Sequence, residues 1–225
     1  MQTTTSPPAP VTGDARVVID DTGDARVVID DDATPIVRLL GRTLRDSFRT
    51  GHAVDALERL SGSVAVRSHN TPQAATVVVG DGAATVTGGV TGGTDAALVV
   101  DLDSRVAVVA SDGDPLLAEA VRQALYPQPP AWRDAAARFW DLTRGIRGIP
   151  DVLVAVALGP DGPEEAHFGA GPDTYRIVGS ADQLAGVFTG ADYLLSALEH
   201  GLRVQGTLSQ LSVMTAASWK VRFDV

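Results

Sequence analysis

Four histidines, His52, His69, His167 and His200, are the side chains best suited to proton transfer at neutral pH. They are scattered: none stands in an H-x-x-x-H or H-E-x-x-H pair, the spacing that puts two ligands on one helix face for zinc. His167, beside Phe168 on a predicted strand, is the best single acid/base candidate. His200 follows Glu199 at a predicted helix end, where a positive charge suits the dipole and the role is structural. No G-x-S-x-G elbow occurs. The glycines of 88–93 lack the G-x-G-x-x-G register and open no helix, so dinucleotide binding has no support. Asp101, Asp103, Asp112 and Asp114 flank a β segment without the glycine and terminal glutamate of a calcium loop, and read as a solvated face. There is no cysteine, which excludes thiol nucleophiles and disulfides, and Lys220, the only lysine, has no P-loop context. No metal site and no cofactor is expected.

With 18 basic against 28 acidic residues and a net charge of −10, the chain lacks the electrostatic footprint of a nucleic-acid binder. Hydrophobic residues make up 44% and charged residues 20%, which is the composition of a globular protein. No apolar run reaches the length of a membrane span, and the first residues have neither the basic nor the apolar region of a signal peptide. A cytoplasmic location is the expectation.

Residues 1–33 differ from the rest. Residues 12–21 and 22–31 both read TGDARVVIDD, and the segment carries seven Asp against two Arg. It is expected to be a disordered acidic tail, since a lone Val-Val-Ile run framed by charges buries little. Val17, Val18 and Ile19, and their copies Val27, Val28 and Ile29, are candidate docking residues: each triplet can add as a strand to a partner's sheet edge, and two copies suit bivalent attachment. A recent duplication in an unconstrained tail gives the same pattern.

The elements that follow are legible. Thr34-Pro35 opens a helix carrying Ile36, Leu39, Leu40 and Leu44, which ends near Gly51. A short helix with Val54, Leu57 and Leu60 follows, then β-prone runs at 63–67, 74–79, 83–88, 96–102 and 105–110, separated by glycine turns. Adjacent short strands with tight turns predict an antiparallel sheet. Helices are expected from Asp114-Pro115 to about 125 and over 131–144. A second block has strands at 152–158, 165–170 and 174–179. Ser180 and Gln183 form a capping-box pattern, and so do Thr207 and Gln210 at the start of the last helix. The fold class is α+β: an antiparallel or mixed sheet with helices on one face.

The run PDTYRIVGSADQLAGVFTGADYLLSALEHGLRVQGTLSQLSVMTAA resembles the C-terminal half of the sterol carrier protein type 2 family. The pattern is a strand, a Ser-capped helix closing in glycine, a second helix, a G-x-hydrophobic-x-hydrophobic-x-G-like strand in 201–206, and an apolar helix. LERLSGSVAVRS, AATVVVGDGAATVTGG and TDAALVVD resemble the family's early helix and first strands. Residues 105–150 depart from the pattern. They mark either one enlarged domain or two diverged units in tandem, the latter split as 34–150 and 151–225.

The resemblance implies non-catalytic binding or transfer of a hydrophobic ligand (sterol, fatty acyl chain, isoprenoid or other lipid) in a cavity between sheet and helices. Carried onto this chain, its lining is Leu184, Val187, Phe188, Leu194, Leu198, Val204, Leu208, Leu211 and Met214. The same residues also suit an ordinary core. Trp132, Phe139, Trp140 and Trp219 would roof such a cavity, pack normally or form a homodimer surface. Two alternatives stand beside it. One is an interaction or cargo protein docked to a larger assembly through the duplicated tail. The other is an enzyme whose apolar pocket shapes a substrate, with His167 or an Asp as proton shuttle.

Overall fold

The computed structural model describes residues 26–90 and 92–223. Its first element, strand β1 (Val27–Ile29), comes from the second copy of the repeat, inside the segment expected to be a disordered tail. Val27 is buried because its side chain reaches the apolar cluster of the first sheet. Val17, Val18 and Ile19 lie outside the described residues.

Helix α1 (Pro35–Thr50) begins at Thr34-Pro35, since proline presets the helical φ and has no N–H to leave unpaired. It stops at Gly51, whose φ of 70° is the left-handed conformation that glycine adopts without a Cβ clash. Its buried stripe is Ile36, Val37, Leu39, Leu40 and Leu44. After α2 (Val54–Glu58) come β2 (Gly62–Ser68), β3 (Ala74–Gly80), β4 (Ala83–Gly88), β5 (Ala96–Asp101) and β6 (Ala107–Gly113). The sheet order is β1-β4-β3-β2-β5-β6. The tight turns give antiparallel pairs, but β5 lies parallel to β2 and β1 parallel to β4, so the sheet is mixed. Helix α3 (Pro115–Ala124), capped by the Asp114 carboxylate accepting from the Leu116 and Leu117 N–H groups, packs beside β5 and β6.

Helix α4 (Trp132–Thr143) packs with the later elements, although it precedes residue 150: its Phe139 ring lies 5.3 Å from that of Phe188. Strands β7 (Val152–Gly159), β8 (Gly162–Gly169) and β9 (Thr174–Ser180) lead to α5 (Ala181–Phe188), α6 (Leu194–Glu199), β10 (Arg203–Gln205) and α7 (Leu208–Phe223). The second sheet runs β10-β9-β7-β8. Here β7 and β8 form a hairpin and β9 lies parallel to β7. That repeats the arrangement of β2, β3 and β5 in the first sheet. Each sheet has its own apolar cluster beneath its helices, and neither closes into a barrel among the described residues. No helix among these residues is long and apolar enough to cross a membrane.

Candidate functional site

Eight of the nine residues assigned to a ligand cavity sit on the helices around the second sheet, and Val204 sits on β10. Ser180 caps α5 in the expected box, its hydroxyl accepting from Gln183 N–H while the Gln183 side chain accepts from Ser180 N–H. That start aims Leu184, Val187 and Phe188 at β7 and β9. Leu184, Val187, Phe188, Leu194 and Met214 are buried in one cluster with Leu153, Tyr175 and Ile177. Leu198 on α6, Val204 on β10 and Leu211 on α7 pack at its margin, partly buried. Leu208, the first residue of α7, is 85% exposed and stands outside the group. Its position follows from the Thr207–Gln210 box, in which both reciprocal hydrogen bonds are present: the helix start is fixed by the cap, and Leu208 falls on the outer side. Trp132 and Phe139 belong to the same cluster and Trp140 borders it. Trp219 is 48% exposed and lies beside Tyr193 and Phe223.

One buried polar group inside this cluster was not singled out by sequence. Strand alternation puts Tyr175 on the face of Ile177, with Leu153 opposite on β7. Gly206 makes room for the ring: a Cβ there would lie 2.5 Å from Tyr175 Cδ2. The Tyr175 hydroxyl is fully buried and has no hydrogen-bond partner among the described residues. Burial pushes its pKa up to about 12, because the phenolate would lose its water. An unpaired buried hydroxyl costs about 1–3 kcal/mol. The period-2 pattern Tyr-x-Ile was the available signal.

The other face of the second sheet carries Val152, Val154, Val156 and Val178 as a small separate cluster. Register sets His167 and Arg176 on either side of Val154, and Glu165 beside Val156. Glu165 accepts from Arg176 at 2.6 Å and holds the His167 ring at 2.5 Å. The His167 hydrogen bond, then that of Arg176, keeps the Glu165 carboxyl below the usual range. His167 is thus part of a polar rim over a valine stripe. The remaining histidines each meet a backbone carbonyl: His52 that of Gln123, His69 that of Val100, and His200 that of Ser196. No three His, Asp or Glu side chains among the described residues converge as metal ligands.

Charge is concentrated between the two sheets. Arg105 donates to both Asp182 oxygens and, through Nε, to Asp192 at 3.0 Å. Its own burial opposes the charge, but the two carboxylates prevail and raise its pKa above the ordinary value. Burial pushes the Asp192 carboxyl up, and Arg105 opposes that shift. Arg222, on α7, donates to the carbonyls of Gly190, Ala191 and Leu102; burial pushes it down to about 10. Arg42 donates to the Thr189 carbonyl. Arg105 and Arg222 join the β5–β6 turn to the α5–α6 segment, and Arg42 ties α1 to the same segment, a clamp rather than an acid/base pair.

The repeat strand forms the remaining candidate. Val27, Val28 and Ile29 pair parallel to Ala84, Thr85 and Val86. Beside it lies a polar recess of about 480 Å³ lined by Arg26, Glu58, Asp81, Gly82 and Ala83.

No protein-family model matches the chain, and no curated protein and no solved structure matches it.

Proposed function

We propose that the second sheet and its helices form a sterol-carrier-like unit that binds an apolar molecule bearing one oxygen function, such as a sterol, a long-chain alcohol or acid, or an isoprenoid alcohol. The reading is carried by the Tyr175 hydroxyl, which is buried without a hydrogen-bond partner among the described residues, on a side chain of the cluster that holds Leu153, Ile177, Leu184 and Phe188. A ligand oxygen there recovers the hydrogen bond the protein lacks. Its hydrocarbon body replaces side-chain contacts between β9 and helices α5, α6 and α7. Room opens between α6 and α7, where Leu198, Val204 and Leu211 are already only partly buried. Burying roughly 300 Å² of ligand surface contributes about 7 kcal/mol before ordering costs. Binding and release, without covalent chemistry, are the whole activity in this reading. The resemblance of residues 172–217 to the sterol carrier family supports it. The repeated hairpin-plus-parallel-strand arrangement supports two diverged units over one enlarged domain. Native mass spectrometry of the full chain, followed by organic extraction, tests the proposal: a near-stoichiometric lipid adduct is expected. A protein that stays unshifted after incubation with sterols, acyl chains and isoprenoids contradicts it.

A second reading, attachment to a larger assembly through the duplicated tail, is favoured by β1: the repeat does pair as a strand on a sheet edge. Deleting residues 1–21 removes one copy while sparing β1. Loss of a co-purifying assembly with an unchanged fold supports this reading, and unchanged co-purification contradicts it.

A further inference from the structure

Strand β10 is an outer strand of the second sheet, and its three residues lie in the link from α6 to α7. Among the described residues it pairs along one side only, with β9: Arg203 with Val178, Val204 with Ile177 and Gln205 with Arg176. A glycine stands near each end. Gly201 has a φ of 98°, a conformation that side chains rarely adopt. Gly206 lies against the Tyr175 ring, where a Cβ would come within 2.5 Å of Cδ2 and 2.9 Å of Cε2. Beyond the glycines, both capping-box glutamines tie the chain down. Gln183 Nε2 donates to the His200 carbonyl at 2.8 Å, and Gln210 Nε2 donates to the Thr174 carbonyl at 3.4 Å. Between these ties only Leu202 and Val204 join the apolar cluster, and Val204 is partly buried. Arg203 and Gln205 are exposed. Residues 201–206 thus form a strap, held beyond both ends and hinged by a glycine at each.

We propose that this strap is the door of the apolar site: it bows away from β9 between its tied ends, uncovers the Tyr175 ring beside Gly206, and closes behind the ligand. This role rests on binding at Tyr175, the activity proposed for the second sheet. The route follows from what each boundary of the cluster holds. Parting β9 from β7 breaks seven register pairs. Lifting α7 strips Met214 and Ala217 from the core and pulls Arg222 off the carbonyls of Gly190, Ala191 and Leu102. Lifting the strap breaks three pairs at a sheet edge and takes only Leu202 and Val204 from the cluster. Short pairings with few buried apolar contacts are the ones that open without global unfolding. Because Gln183 and Gln210 hold the chain outside the glycines, α5 and α7 keep their places while the strap moves.

The chain has no cysteine, so one introduced pair can lock the strap. Val178 and Arg203 are register partners on the sheet face opposite the Tyr175 cluster. Full-length V178C/R203C is compared oxidised and reduced, with R176C/Q205C as a second lock at the other outward-facing pair. In stopped flow with dodecanol, oxidation should slow uptake and release at least about tenfold and leave the equilibrium affinity unchanged; reductant should restore both rates. Equal rates in the oxidised and reduced chains overturn the door and leave the Tyr175 site standing. No dodecanol binding by the unsubstituted chain overturns the Tyr175 site, and the door with it. Amide exchange in the ligand-free chain reads the opening itself. The β9 amides that pair with β10 should exchange at least about tenfold faster than those that pair with β7, by a route that low denaturant does not speed. Oxidation should remove the difference. Two sets of β9 amides that exchange together in the reduced chain overturn the door.

Discussion

Arg105 Nε stands 3.0 Å from Asp192 Oδ2, joining the turn before β6 to the segment between α5 and α6 across 87 residues of sequence. The geometry is closely built. Arg105 and Val106 both adopt positive φ, 45° and 53°, and Gly186 leaves the space that the Asp192 carboxylate occupies. Both partners are largely buried, whereas Asp182, the other carboxylate on Arg105, is 69% exposed. Arg105→Ala is therefore expected to cost about 3–5 kcal/mol, because it strands the Asp192 charge. Denaturant unfolding in a double-mutant cycle checks the origin. Coupling with Asp192→Ala should be large and coupling with Asp182→Ala below about 1 kcal/mol.

Tyr175→Phe should be neutral or stabilising in the ligand-free protein, since it removes an unpaired buried hydroxyl and keeps the ring packed on Gly206. The same group sets an alkaline dependence. The native phenol keeps its proton up to about pH 12, while the unfolded one releases it near the ordinary value of 10.0. Between those values the native state holds more protons than the unfolded state, so stability falls as pH rises through the window. The full loss is on the order of 2–3 kcal/mol. In the Tyr175→Phe chain this component of the alkaline loss disappears. The ultraviolet tyrosinate titration loses its step near pH 12.

Gly41→Ala in α1 tests where β1 sits. An exposed helical site would gain up to about 1 kcal/mol from alanine. Here the new Cβ would stand 2.5 Å from Ile29 Cγ2, so the substitution should destabilise by about 1–3 kcal/mol. In an Ile29→Ala background, with that methyl group gone, Gly41→Ala should turn stabilising. Thermal unfolding of the four chains reads the reversal.

Local chemistry made much of the fold readable, and non-local pairing hid the rest. Thr34-Pro35 and Gly51 bracket α1, and both capping boxes form as their spacing predicts. The glycine turns deliver the β3–β4 and β7–β8 hairpins. The parallel pairings β2–β5 and β7–β9 have no short-range signal, because each crosses over intervening chain. The run at 105–110 reads as strand, yet β6 begins at Ala107, since the clamp holds Arg105 and Val106 in a left-handed turn. Charge and brevity made the Val-Val-Ile run look unable to order; β4 and Gly41, distant in sequence, supply the surface that orders it. At the candidate site, apolar spacing gathered Leu184, Val187, Phe188, Leu194 and Met214 into one cluster. Leu208 fell outside because its cap, not its hydrophobicity, sets its direction. Tyr175 escaped notice because an unpaired hydroxyl is a property of the packed core and not of the strand that carries it.

The most direct test is a paired titration of the full chain and its Tyr175→Phe variant with a long-chain alcohol and the matching alkane, followed by native mass spectrometry. The proposed site predicts that the unsubstituted chain binds the alcohol more tightly than the alkane, and that Tyr175→Phe weakens the alcohol about tenfold while leaving the alkane unchanged, the loss of one buried hydrogen bond. Binding of neither molecule, or equal binding of the alcohol by both chains, would contradict an apolar site anchored at Tyr175.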